Sequence, residues 1–217
     1  MDDAEHSSEA LPIPKATVKR LVLYLRELQQ LSRGGVHSIR SVSLADRLGL
    51  SDSQVRRDLS HVGLLGRRGV GYPTKELVGA IRAILGTDRK WRVILVGMGN
   101  LGQALSGYKG FREQGFELAA VFDSDSRKVG QEIHHHKIQS IDAMESVVKK
   151  IGDIQLAIIA VPAESAPSVA SRLNDMGIQG ILNFAPVSIR RNAGDSAVLD
   201  VDLALELQRL AFTIVQK

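Results

Sequence analysis

The residues best placed to do chemistry in this 217-residue chain surround three glycines. Val93-Ile94-Leu95-Val96 has the character of a short buried strand. It runs into Gly97-Met98-Gly99-Asn100-Leu101-Gly102, where a helix is predicted to begin. In that setting Gly97 permits a tight turn and Gly99 lets the backbone approach a pyrophosphate. Gly102 lets the helix pack closely on the sheet. Asp123 ends the next predicted strand, 24 residues after Gly99. A carboxylate there can accept both hydroxyls of an adenosine ribose and repels a 2′-phosphate, a repulsion to which Asp125 adds. The chemistry implied is binding of NAD(H) rather than the phosphorylated dinucleotide. The alternatives are a nucleotide-free core of the same type, or one adapted to coenzyme A.

Groups for catalysis are scarce around that motif. A nicotinamide dehydrogenase needs a proton donor or acceptor at the reacting carbon. The segment after Phe184 contains no His or Tyr, and its sole Lys is Lys217. The histidines are His6, His37, His61 and His134 to His136, and none has an obvious path to a nicotinamide. Tyr108 is a single phenol near the end of the helix after the glycines. The dinucleotide is therefore expected to be an effector, not a reactant, with an NAD-dependent oxidoreductase as the alternative. Adjacent side chains diverge on a strand, so the His134-His135-His136 run is expected on an exposed loop or edge, without a metal. There is no cysteine, which excludes disulfides, thiol catalysis and cysteine-held metals.

A second kind of chemistry is suggested by charge. Residues 15–86 carry thirteen Lys or Arg against five Asp or Glu, whereas residues 87–217 carry fifteen of each. A basic segment joined to a neutral one points to a polyanion partner for the first. Within it, two short helices are predicted around Gly49-Leu50-Ser51. The first spans about 43–48, with Ser43 as its cap. The second starts at Ser51, with Gln54 completing a capping box, and runs to about Val62. If Val55, Leu59 and Val62 face inward, Gln54, Arg57 and His61 point away, flanked by Ser53, Arg56 and Ser60. Gln can read adenine, and Arg can read guanine or hold phosphate. Gly63, Gly66, Gly69 and Gly71 should form turns and a small hairpin with Arg67 and Arg68 at its tip, suited to a minor groove. The alternative is a domain that docks protein.

The elements needed to position these groups form two domains. Residues 1–14 read as a flexible tip ending in Pro12 and Pro14. It has no secretory signal, and its acidic residues have no assignable function. Residues 15–86 hold four predicted helices: one from Pro14 to Gly34, the pair above, and one over 75–85. Residues 87–202 alternate apolar strands (93–96, 118–122, 156–160, 180–184, and a further one at 197–201) with helices at 141–150 and 165–176. That alternation indicates a parallel sheet covered by helices. No apolar run is long enough to span a membrane, which is compatible with a cytoplasmic location. Residues 203–217 form a last helix, apolar on more than one face. It calls for a second burying surface, which a partner subunit would supply.

Four motifs in this order give a specific resemblance. Ser53-Gln54-Val55-Arg56-Arg57-Asp58-Leu59-Ser60, then Gly66-Arg67-Arg68-Gly69-Val70-Gly71-Tyr72, then the glycine turn, then Gly180-Ile181-Leu182-Asn183-Phe184-Ala185-Pro186, resemble the redox-sensing transcriptional repressor Rex family from about Pro14 to the C-terminus. The resemblance implies an α/β chain: a winged helix-turn-helix domain, a Rossmann-type domain and a domain-swapped C-terminal helix in a homodimer. It implies repression of respiratory and fermentative genes from inverted-repeat operator DNA, relieved by NADH. By the same resemblance, Arg56, Arg57, Arg68 and Gly69 contact DNA. Gly97, Gly99, Gly102, Asp123, Val161, Pro162, Ala163 and Phe184 hold the cofactor. Arg26, Tyr108 and Asp202 couple cofactor state to domain orientation.

Overall fold

The computed structural model describes residues 13–64, 66–67, 69–190 and 194–216. Arg68 and most of the predicted N-terminal tip lie outside them. The chain divides between Arg89 and Lys90 into two compact units.

In the first unit, α1 (Lys15–Arg33) starts behind Pro14, whose carbonyl accepts from Val18 N. Its apolar stripe of Leu21, Tyr24, Leu25, Leu28 and Leu31 is buried. It packs with α2 (Ser41–Leu48), α3 (Asp52–Ser60) and α4 (Thr74–Ile84) around Leu44, Val55, Leu59, Leu77 and Ile81. Each such aliphatic side chain contributes about 1.5–3 kcal/mol by leaving water. Helix α2 begins two residues before the predicted start, so Ser43 lies inside it rather than capping it. Gly49 ends α2 at φ 65°, and Ser51 caps α3 by accepting from Gln54 N at 3.2 Å. The expected hairpin among the glycines is built differently. Arg67 and Gly71 close a tight loop, and the strand pair is β1 (Ser38–Ile39) against β2 (Tyr72–Pro73), antiparallel. Gly71 must be glycine there, because a Cβ would stand 2.3 Å from the Ile39 carbonyl oxygen.

The second unit is a sheet of seven strands: β3 (Trp91–Val96), β4 (Phe116–Asp123), β5 (Glu132–Ile133), β6 (His136–Ser140), β7 (Ile154–Ile159), β8 (Gly180–Asn183) and β9 (Ala197–Asp200). Their order is β5-β6-β4-β3-β7-β8-β9, with all pairs parallel except the β5–β6 hairpin. Without β5, this is the doubly wound order whose direction reverses beside the first strand. Helix α5 (Asn100–Ser106) and α6 (Lys109–Glu113) follow β3. The helix expected over 141–150 is split into a 3-10 turn at Ile141–Ala143 and α7 (Met144–Ile151). Helix α8 (Ala166–Asp175) precedes β8, and α9 (Leu203–Val215) ends the chain.

The two sheet faces are covered unequally. Met144, Val148, Val169, Ala170 and Leu173, from α7 and α8, pack on Ile94, Val96, Phe122, Ala157 and Ile159. On the other face, Leu105 and Phe111 lie against Val93, Leu95, Val121 and Ile158. Beyond them, Leu156, Leu182 and Leu199 line an apolar groove of about 320 Å³. Every described side chain of α9 is exposed within its own chain, including Leu203, Leu207, Leu210, Phe212 and Ile214.

The polar centre of the first unit is Asp58, which is 1% exposed. Arg20 grips it with Nε at 2.6 Å and Nη2 at 2.8 Å, and Tyr24 donates its hydroxyl at 2.6 Å. Thr17 and Gln54 add bonds at 3.2 and 3.0 Å. Burial alone would raise the Asp58 pKa; these donors, Arg20 foremost, overcome it and hold the carboxyl at about 2. Stability from a depressed carboxyl pKa is full above the unfolded value and is lost as pH falls through the folded one. Asp58→Asn is therefore expected to destabilise the first unit by about 2–4 kcal/mol at pH 7. In denaturant melts followed from neutral pH downward, that gap should close as pH falls from about 4 toward about 2. A pH-independent gap would show that the carboxylate's charge plays no part.

Candidate dinucleotide and nucleic-acid sites

The glycine turn is built as a close approach of two strands. Parallel pairing of β3 with β7 brings Gly97 beside Ala160. A Cβ on Gly97, whose φ is 100°, would lie 2.4 Å from the Ala160 carbonyl oxygen. Gly102 is tighter still: its Cβ would stand 1.8 Å from the Gly97 carbonyl oxygen. Both glycines are thus required by the protein's own backbone. Gly99 is different. Apart from its immediate chain neighbours, no described atom lies within 4 Å of where its Cβ would be, so its surroundings leave room for a phosphate to approach. It sits at the N-terminus of α5, where first-turn N–H groups lack helical acceptors. Asn100 and Leu101 are exposed on that turn. The residues present therefore fit a dinucleotide's phosphates.

Met98 packs inside the turn. Its side chain is fully buried, its N–H donates to Asp123 Oδ2 at 2.7 Å, and its carbonyl accepts from Gln103 at 3.3 Å. It contributes to the shape of the turn.

Asp123 requires a correction. It was expected to receive both ribose hydroxyls, yet it already accepts from Met98 N, from Asp125 N at 2.7 Å and from Lys128 Nζ at 3.0 Å. A carboxylate offers about four acceptor positions, so one remains, on Oδ1. Burial would raise the Asp123 pKa; the two N–H groups and Lys128 outweigh it and hold the carboxyl below its usual range. Asp125 is paired with Arg127 through two bonds at 3.0 and 2.9 Å. With Lys128 and Arg127 beside them, the two acids exert less repulsion on a 2′-phosphate than the sequence implies.

The remaining expected cofactor residues follow strands at the same end of the sheet. Val161, Pro162 and Ala163 come directly after β7, and Phe184 after β8. Phe184 is half-buried, and its N–H donates to the Ile159 carbonyl at 2.9 Å. Sequence reasoning missed what fixes this loop. Asn183, fully buried, donates Nδ2 to Val187 O at 2.7 Å and to Asp200 Oδ1 at 2.8 Å, and its Oδ1 accepts from Ala185 N at 3.0 Å. A polar residue ending an apolar strand was the available signal.

In the first unit, α3 presents Ser53, Arg56, Arg57, Ser60 and His61 outward. Arg57 makes no ion pair among the described residues, whereas Arg56 is held by Asp52 at 2.6 Å. Gln54 does not point freely outward: its amide is drawn to Asp58. Ser60 returns its hydroxyl to the Arg57 carbonyl. Arg67 is exposed on the loop closed with Gly71, and Gly69 takes φ 80° there. The missed residue is Asp58 itself. It shares the inward face of Val55, Leu59 and Val62, and an acid on that face needs buried partners. Of the residues expected to couple the domains, Arg26 is exposed on α1 and Tyr108 is exposed before α6. Asp202 caps α9, accepting from Ala204 N at 2.8 Å.

Comparison with known proteins agrees with this architecture. Residues 12–60 match a family model described as the N-terminus of a putative DNA-binding protein, and residues 88–187 match the CoA binding domain model. The redox-sensing transcriptional repressor Rex of Carboxydothermus hydrogenoformans is 44% identical over 203 residues, 93% of this chain and 96% of the relative. That of Rhodopirellula baltica is 48% identical over 197 residues, 91% of this chain and 82% of the relative. The crystal structure of RSP with β-NAD⁺ and operator DNA has a TM-score of 0.87 and 31% identity, covering 94% of each chain. RSP, a Rex-family repressor, with β-NADH gives 0.82 at 30% identity, covering 94% and 95%. Similarity of this degree runs through both units, where the coenzyme-A model spans only the second, and by it the chain belongs to the redox-sensing transcriptional repressor Rex family.

Proposed function

We propose that the protein is a homodimeric cytoplasmic repressor that binds inverted-repeat operator DNA with its first unit and is released by NADH bound to its second. One observation carries the reading. The same chain pairs a helix-turn-helix presenting Arg57, which has no ion pair among the described residues, with a glycine turn open at Gly99, in a family whose member RSP has been crystallised with β-NAD⁺ and operator DNA and with β-NADH. By family resemblance, the genes controlled are those of respiration and fermentation.

In this reading α3 enters the major groove, with Ser53, Arg56, Arg57, Ser60 and His61 along it. Arg67, Arg68 and Gly69 meet the backbone or minor groove beside it. Arg56 first gives up Asp52, and Gln54 acts by holding Asp58 rather than by reading a base. The dinucleotide's pyrophosphate lies on Gly97, Gly99 and the first turn of α5. One ribose hydroxyl takes the free position on Asp123 Oδ1. Val161, Pro162, Ala163 and Phe184 border the nicotinamide. NADH and NAD⁺ differ there by a hydride and a positive ring charge, so Phe184 and its loop are where their affinities diverge. Arg26, Tyr108 and Asp202 pass that difference to the DNA-binding unit. The dinucleotide is an effector and no reaction is assigned. Moving the dimer from 99:1 to 1:99 in favour of release takes a differential of about 5.5 kcal/mol between the two forms.

Dimerisation completes the fold. Among the described residues, no helix covers the groove along Leu156, Leu182 and Leu199, and α9 has no surface to cover. Both needs are met if α9 of each protomer lies on the other's sheet.

Three outcomes are expected. Operator binding, followed at fixed total dinucleotide, should fall as the NADH fraction rises, with no turnover. Binding that ignores the ratio would end the sensing claim. Leu207→Glu with Leu210→Glu should convert dimers to monomers in sedimentation equilibrium; a dimer unchanged in stability would place the interface elsewhere. Asp123→Ala should weaken NADH roughly tenfold or more and narrow its advantage over NADPH, because the turn loses an anchor and Lys128 its partner. Calorimetry with both dinucleotides reads this, and unchanged NADH affinity would exclude Asp123 from the site.

A further inference from the structure

A second cavity, of about 680 Å³, opens on the second unit at the far end of α5 from the glycine turn. The length of α5 separates the two by about 10 Å. Its rim is cationic. Its cations are Lys90, just before β3, and Lys109 and Arg112 of α6, against one acid, Glu117 of β4; the histidines of the β5–β6 hairpin line it as well. None of Lys90, Lys109, Arg112 and Glu117 is in an ion pair among the described residues. Its floor is apolar: Phe111, Phe116 and Leu118, with Tyr108 edge-on to Phe111 at 5.1 Å.

The histidines lie on the hairpin at one edge of the sheet, in keeping with the exposed loop or edge expected for them. Ile133 pairs with His136, so His134 and His135 are the two loop residues of the hairpin, at φ 51° and 69°. Positive φ at both positions is the mark of a type I′ turn, for which Asn-Gly is the favoured pair. Two consecutive non-glycine residues there cost about 1–2 kcal/mol each. Strain retained in this way asks for a reason outside the turn. The His134 ring is seated against Gly107, where a Cβ would come within 2.9 Å of Nε2. Burial first, then His135 and His134, push the His136 pKa below its ordinary value. The described residues contain no group of three side chains able to hold a metal ion.

We infer that this cavity is a second ligand site, for a small organic phosphate whose dianion lies among His134, His135, His136, Lys109 and Arg112 and whose apolar part rests on Phe111, Phe116 and Leu118. A phosphomonoester matches the charge and can accept several charge-assisted hydrogen bonds at once. The site needs neither DNA nor NADH, but it adjoins the repressor reading: Phe111, Phe116 and Leu118 also line the groove given there to α9, and Tyr108 at its edge is one of the coupling residues.

The test uses the full-length protein saturated with NADH and 1-naphthyl phosphate as the probe, by calorimetry and histidine proton resonances. One probe per protomer is expected, with shifts at the hairpin histidines. Neutral 1-naphthol and inorganic phosphate should each bind at least about tenfold more weakly, since each loses one half of the contacts. His134→Asn with His135→Gly restores the favoured turn and should fold at least as well, yet lose about tenfold or more in probe affinity. Lys109→Ala with Arg112→Ala should do the same through different side chains. Absence of binding to the NADH-saturated protein, or full affinity in both variants, would overturn the inference.

Discussion

A carboxylate taken out of water must be met by donors, and that requirement organises both functional elements of this protein. Asp58 collects Arg20, Tyr24, Thr17 and Gln54, and so ties α3, the helix proposed above to enter DNA, to α1. Asp123 collects Met98 N, Asp125 N and Lys128, and so ties the glycine turn to the end of β4. In each case the buried acid holds an exposed neighbour in place, Arg57 in one unit and Gly99 in the other. The acids matter through what they position more than through what they touch.

Backbone contact sets the second constraint. Gly97 against Ala160, and Gly102 against Gly97, leave no room for any side chain, so β3, β7 and α5 are locked where the strand order reverses. A sheet built this way needs helices on both faces. Helices α7 and α8 supply one face, while α5 and α6 cover only part of the other. The apolar remainder and the exposed α9 are both left without a covering surface within the described chain, which is the ground of the dimer proposed above.

Much of this was legible in the amino-acid sequence. The glycine spacing located the turn, because steric demands on Gly97 and Gly102 leave no other residue type. Periodic leucines marked α1, and Gly49-Leu50-Ser51 marked the joint between α2 and α3. What escaped notice depends on partners that the local pattern does not announce, several of them distant in the chain. The pair β1–β2 has two residues per strand and no periodicity to read. Asp58 looks like a solvated acid until Arg20 and Tyr24 are brought to it. Asp123 seemed free for a ribose because the N–H groups that fill it come from turns. The His134-His135 turn carries none of the usual turn residues.

The central claim is thermodynamic: one dimer couples dinucleotide form to operator affinity, and such coupling must be reciprocal. The most direct measurement is NADH and NAD⁺ affinity by calorimetry, with and without saturating operator duplex. The account predicts that operator weakens NADH relative to NAD⁺ by the same factor by which NADH weakens operator relative to NAD⁺. Identical NADH and NAD⁺ affinities with and without operator would contradict it.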